Sequence, residues 1–143
     1  MNYNDRLPVD FIKNNLLLFA VAVASGAMLL WPLLRRSTGG PWVSPAQATN
    51  LINREDAMMV DVRDAGEYGA GHALGARNVP LAQLESGAGD AGKKKDATLI
   101  VYCDTGDRSA KASAALKKQG YTKVVSLSGG FAAWKQAGLP VER

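Results

Sequence analysis

This chain of 143 residues has one cysteine, Cys103, and one histidine, His72. A single thiol cannot close an internal disulfide, so no disulfide framework holds the fold. Structural zinc draws about four ligands of suitable type. One Cys and one His do not make a recognisable set, so neither a metal nor a cofactor is expected. Basic excess is also lacking. Residues 1–36 hold four basic and two acidic side chains, and residues 37–143 hold thirteen and eleven, for a net charge of +4. So small an excess is no argument for a nucleic-acid partner. No internal repeat is visible.

Charge is missing altogether from Leu16 to Leu34 (LLLFAVAVASGAMLLWPLL). As a helix this run would be about 28 Å long, which matches the apolar core of a bilayer. A cleaved signal peptide is the competing reading, with Ala22-Val23-Ala24 imitating a cleavage site. Against it, the preceding residues (Asp5, Arg6, Asp10, Lys13) are not net positive, and the apolar run continues well past Ala24. The expectation is a retained single-pass helix in a cell membrane, such as a bacterial inner membrane, in contact with lipid and available to membrane-protein partners. Arg35-Arg36 and a thiol that must stay reduced lean towards a cytoplasmic C-terminal domain. The division is then an N-terminal tail (1–15), a transmembrane helix with basic flank (16–36), a linker (37–42) and one domain (43–143).

Within that domain, Ser44-Pro45-Ala46-Gln47 is a capping box with proline at the first helical position, predicting a helix over 45–53. Ala57 to Val62 fits a buried strand, with a short helix around Glu67-Tyr68. A brief strand is expected at 77–79 and a short helix at 81–84. Residues 85–96 are polar and glycine-rich and read as a loop. A strand at 98–102, a helix at 109–119, a strand at 123–127 and a helix at 130–136 complete the alternation. Strands and helices in that order predict an α/β fold, a mostly parallel sheet covered on both faces.

Cys103 falls at the one junction where chemistry is best served, between the strand ending at Tyr102 and the helix beginning near Ser109. Backbone N–H groups of a tight turn and a helix N-terminus converge there, a setting that favours a thiolate and holds anions. Other motifs only imitate function. Gly87-Ala88-Gly89-Asp90-Ala91-Gly92-Lys93 has the glycine spacing of nucleotide loops, but a helix precedes it, a strand follows, and Lys94 replaces the hydroxyl residue a P-loop needs. The run Lys93-Lys94-Lys95 reads as solvated. His72 could act as a base for Cys103, although a loop histidine bonded to backbone is the simpler reading. Cysteine phosphatases place their arginine six positions after the nucleophile. Here Arg108 is at five, giving a cradle better suited to a single sulfur than to a phosphate ester.

Taken in order, Asp61-Val62-Arg63, Glu67-Tyr68, Gly71-His72 and Gly75-Ala76-Arg77-Asn78-Val79-Pro80 resemble the first half of a rhodanese domain. Val101 to Ser109 resembles its active loop. Leu127-Ser128-Gly129-Gly130-Phe131, Trp134 and Gly138-Leu139-Pro140 resemble its closing segments. The resemblance covers roughly residues 43–143. It implies a sulfurtransferase that carries sulfane sulfur as a persulfide on Cys103, taken from a small-molecule or protein donor and passed to a thiol acceptor. Asp104, Thr105, Gly106, Asp107, Arg108 and Ser109 would then bind the donor and the persulfide, with Asp61, Arg63 and His72 in support. Asp104 and Asp107 outnumber Arg108, so thiosulfate, a dianion, is expected to be a poor donor. The alternative is a membrane-tethered interaction module with little turnover; a phosphatase or arsenate reductase is a third reading.

Overall fold

The computed structural model describes residues 7–36, 40–92 and 94–143, with side chains described from Phe11 to Trp31 in the first of these stretches. The chain forms two compact units, divided after Arg35. The outer tail (1–6), Ser37 to Gly39 of the expected linker, and Lys93 lie outside the described residues.

In the first unit, helix α1 spans Leu7–Asn14 and α2 spans Leu16–Arg36. The first of these was not expected. Proline as its second residue is tolerated because first-turn N–H groups have no helical partner anyway. Asn15 links the helices, its side-chain amide donating to the carbonyl of Phe11 at 2.9 Å. The Phe11 and Phe19 rings meet edge to face. The expected span over 16–34 coincides with α2, which is 21 residues long. Among the described residues, with side chains ending at Trp31, no helix is long and apolar enough to cross a membrane.

The second unit holds a parallel sheet built from β1 (Trp42–Val43), β2 (Met58–Asp61), β4 (Arg77–Asn78), β5 (Thr98–Tyr102) and β6 (Lys123–Leu127), in the order β1-β6-β5-β2-β4. Strands β3 (His72–Ala73) and β7 (Val141–Glu142) pair antiparallel as a separate small ribbon. Five helices complete it: α3 (Pro45–Glu55), α4 (Ala65–Ala70), α5 (Leu81–Glu85), α6 (Asp107–Lys118) and α7 (Gly130–Gln136). The capping box at Ser44 is formed: its hydroxyl accepts from Gln47 N–H, and the Gln47 side chain accepts from Ser44 N–H.

Both sheet faces are covered, and β5 shows how. Every residue of Thr98–Tyr102 is buried. Leu99, Val101 and Cys103 face a cluster with Leu84 of α5 and with Ala112 and Leu116 of α6. Ile100 and Tyr102 face the other, with Ala48 of α3 and with Phe131 and Trp134 of α7. A strand buried on both sides reads as a continuous apolar run, which is why its sequence shows no alternation. Parallel pairing of β5 with β2 and β6 ends at Tyr102, so the chain leaves the sheet at Cys103, on the carboxyl edge. Ligands of open parallel sheets bind at that edge.

Candidate active site

Cys103 is buried, 1% exposed, and its sulfur accepts the N–H of Gly106 at 3.0 Å. Gly106 has φ 118° and caps the helix that follows. A side chain there would be strained by that φ, and a Cβ would lie 3.1 Å from the ring of Trp42. Helix α6 begins at Asp107, two residues before the expected Ser109, so Asp107 and Arg108 belong to its first turn. The segment expected as a loop from Cys103 to Arg108 is therefore a tight turn followed by the first turn of the helix. The cause is local: Gly106 supplies the left-handed N-cap, and Asp107 complements the helix dipole.

Each expected site residue has a definite place. Ser109 is fully buried and donates to the carbonyl of Gly106 at 2.6 Å, tying the turn from beneath. Thr105 and Asp107 are exposed. Asp61 and Arg63 form a buried pair: Nη2 of Arg63 lies 2.6 Å from Asp61 Oδ2, and its Nε donates to both carboxylate oxygens. The same guanidinium donates to Gly71 O at 2.8 Å and reaches Asp104 Oδ1 at 3.3 Å. It lies 4.3 Å over the Phe131 ring. Despite the cost of its burial, the Arg63 proton is held more tightly than usual, through the hydrogen bond and charge of Asp61.

His72 belongs elsewhere. Its Nδ1 meets the carbonyl of Tyr68 at 2.9 Å, its ring stacks on that tyrosine, and its Nε2 lies 3.3 Å from Glu142. Both ring nitrogens thus serve the join between α4 and the β3–β7 ribbon.

Three residues were not expected at the site. Glu67 of α4 takes Arg108 in a two-point clasp, 2.8 Å from Nη1 and 3.0 Å from Nη2. It also accepts the N–H of Asp64 at 3.1 Å. That clasp holds the Glu67 carboxyl down at about 2 and raises the Arg108 guanidinium above its ordinary value. Trp42, assigned to the linker, sits in β1 against Gly106. Gly130 permits the closest approach of all: a Cβ there would lie 2.3 Å from the Cys103 carbonyl oxygen. That oxygen accepts the N–H of Phe131 at 2.7 Å, so the start of α7 fixes the backbone of the nucleophile. The pair Gly129-Gly130 was a usable signal; the Glu67–Arg108 contact, 41 residues apart, left none.

The site therefore offers a sulfur under a backbone N–H at a helix N-terminus, on a turn whose Asp104 is reached by both Arg63 and Arg108, the first held by Asp61 and the second by Glu67. Among the described residues no group of three or more metal-ligating side chains is poised to hold an ion. The arrangement suits nucleophilic attack by sulfur on a small, exposed electrophile.

Known proteins match this picture. The family model of the rhodanese-like domain matches residues 44–137. The thiosulfate sulfurtransferase GlpE of Pseudomonas putida is 40% identical over 103 residues, covering 70% of this chain and 88% of that protein. The probable adenylyltransferase/sulfurtransferase MoeZ of Mycobacterium tuberculosis is 43% identical over 102 residues, 71% of this chain, which spans only 26% of that longer protein. Among solved structures, the human single-domain sulfurtransferase TSTD1 superposes with a TM-score of 0.60 at 27% identity, covering 68% of this chain and 97% of that one. With the turn at Cys103, the mostly parallel sheet and these relatives in agreement, the chain belongs to the rhodanese-like domain family.

Proposed function

We propose that this chain is a membrane-anchored sulfurtransferase that carries sulfane sulfur as a persulfide on Cys103. The observation that carries the reading is the sulfur of Cys103, 3.0 Å from the Gly106 N–H at the head of α6. A thiolate there attacks the outer sulfur of a donor; the donor's sulfur–sulfur bond breaks and its electron pair leaves with sulfite or a thiolate. The Gly106 N–H that donates to the Cys103 sulfur is equally placed to donate to the persulfide that replaces it. An acceptor thiolate, or cyanide in an assay, then attacks the outer sulfur and Cys103 departs as thiolate.

Thiosulfate is a poor donor in this account, because Asp61, Glu67 and Asp104 already engage both guanidiniums and a dianion must approach a turn that carries Asp104 and Asp107. Persulfides of small thiols or proteins are the natural donors. The anchor rests on α2, where Leu16, Leu17, Leu18, Val23, Met28 and Leu29 are all exposed. Such a surface is stable in lipid and poorly tolerated in water. Its basic end, Arg35-Arg36, and a lone thiol that must stay reduced support a cytoplasmic catalytic domain.

The test is turnover by the full chain, followed as thiocyanate formed from cyanide. Wild type supplied with a persulfide is expected to form it faster than the uncatalysed mixture does, and Cys103→Ser to add nothing to that background. Equal rates in the two proteins would overturn the reading. Replacing both Asp104 and Asp107 by Ser is expected to lower the KM for thiosulfate, and an unchanged KM would remove the electrostatic argument. For the anchor, the chain is expected to stay with membranes through an alkaline carbonate wash; release into the wash would contradict it.

A further inference from the structure

The arginine best placed to receive an anionic donor is already occupied. Arg108 lies in the first turn of α6, two residues past the cap that binds the Cys103 sulfur. Both of its terminal nitrogens face the two oxygens of Glu67, at 2.8 and 3.0 Å. Its remaining acidic neighbour, Asp104, is more distant at 3.8 Å. A two-point clasp of this kind uses the same planar fork that would otherwise grip an oxyanion. Glu67 is itself fixed, because its Oε2 also caps α4 through the N–H of Asp64. The pair is nonetheless only half-buried, 36% and 33% exposed, so separating it is within reach of a single substitution. By contrast Arg63 is 4% exposed, shared among Asp61, Gly71 and Asp104, and has no free geometry to offer.

We infer that Glu67 is a specificity-determining residue: by clasping Arg108 it denies the guanidinium to the sulfonate end of donors such as thiosulfate and leaves the site selective for persulfides, which carry no oxyanion group. This rests on the reading of Cys103 as the sulfur carrier. Glu67 touches neither the sulfur nor the donor and acts through Arg108, so it is a positioning residue. The chemistry is unchanged by it. Thiosulfate would still transfer its outer sulfur to the Cys103 thiolate and release sulfite with the bonding electron pair. What Glu67 sets is how well the sulfonate end is held while this happens.

The experiment compares two donors on the full chain, thiosulfate and the persulfide of 2-mercaptoethanol, with the ratio of their kcat/KM values as the readout. Glu67→Gln keeps an oxygen for the Asp64 N–H but removes the charge that clasps Arg108. It is expected to raise the thiosulfate-to-persulfide ratio about tenfold, the scale of a charge-assisted hydrogen bond gained, chiefly through a lower thiosulfate KM. Asp107→Asn removes one negative charge from the same turn without touching the clasp. Because Asp107 is exposed and screened, it is expected to change the ratio by less than about threefold. The double variant Glu67→Gln with Arg108→Gln should lose the gain.

An unchanged ratio in folded Glu67→Gln would overturn the inference. So would a gain matched by Asp107→Asn, which would reduce the effect to net charge, or a gain that survives loss of Arg108. Should Glu67→Gln fail to fold, Glu67→Asp makes the same test. Its carboxylate is one methylene too short for the full clasp, and a smaller rise is expected; no rise would again contradict the inference. Failure of the underlying reading looks different: wild type would then accept sulfur from neither donor.

Discussion

Two acid–arginine pairs flank Cys103, one in the interior and one at the surface, and the contrast between them separates what holds the turn from what tunes it. Asp61 and Arg63 are 0% and 4% exposed and share five further contacts of backbone, carboxylate and ring. Glu67 and Arg108 are about one-third exposed and hold mainly each other. A buried pair that loses one member leaves an uncompensated charge in a medium of low polarity. A surface pair that loses one member returns the other to water at little cost. A carboxylate paired with a guanidinium therefore makes a fixed brace in one place and an adjustable clasp in the other.

The largest effect is expected from Arg63→Met. It strands Asp61 in the interior and leaves the carbonyl of Gly71 without its donor, and is expected to cost about 3–5 kcal/mol of stability, measured by urea unfolding. A cost below about 1 kcal/mol would mean that the interior pair is no more structural than the surface one. Next comes Gly130→Ala. With φ at 59° and the Cys103 carbonyl oxygen 2.3 Å from the new carbon, α7 must move away from the turn. The expected loss is about 2 kcal/mol, accompanied by slower sulfur transfer as the hydrogen bond from Phe131 to Cys103 lengthens.

Glu67→Gln sharpens the comparison from the other side, with an expected loss under about 1 kcal/mol at neutral pH. Its pH dependence has a definite sign. Glu67 binds its proton less readily in the fold, at about 2 against an ordinary 4.5, chiefly through the hydrogen bond from Arg108. Its stabilising contribution is fully present above about 4.5 and is lost as pH falls through about 2. The gap between wild type and variant in thermal unfolding should therefore narrow from pH 5 downwards. A gap that stays constant over this window would show that the clasp adds nothing to stability.

Much of this was legible in the sequence because it is local. The capping box at Ser44, the strand feeding Cys103 and the glycines after Leu127 each announce themselves within a few residues. What escaped is either short or distant. Strands β1, β3 and β7 have two residues each, too few for any periodicity, and β3 finds its partner near the far end of the chain. Trp42 read as linker for that reason, although it packs against the turn at Gly106. The early start of α6 turns on one left-handed glycine, which the sequence marks as permissive but does not place. Glu67 was visible as part of a resemblance, yet its role depends on folding α4 against α6.

Sulfur carried on Cys103 is read by intact mass spectrometry of the full chain. After incubation with a persulfide donor and removal of excess, wild type is expected to gain the mass of one sulfur atom and to lose it on addition of cyanide, while Cys103→Ser gains nothing. A folded wild-type protein with a free thiol that acquires no sulfur, or a Cys103→Ser protein that acquires as much, would contradict the account.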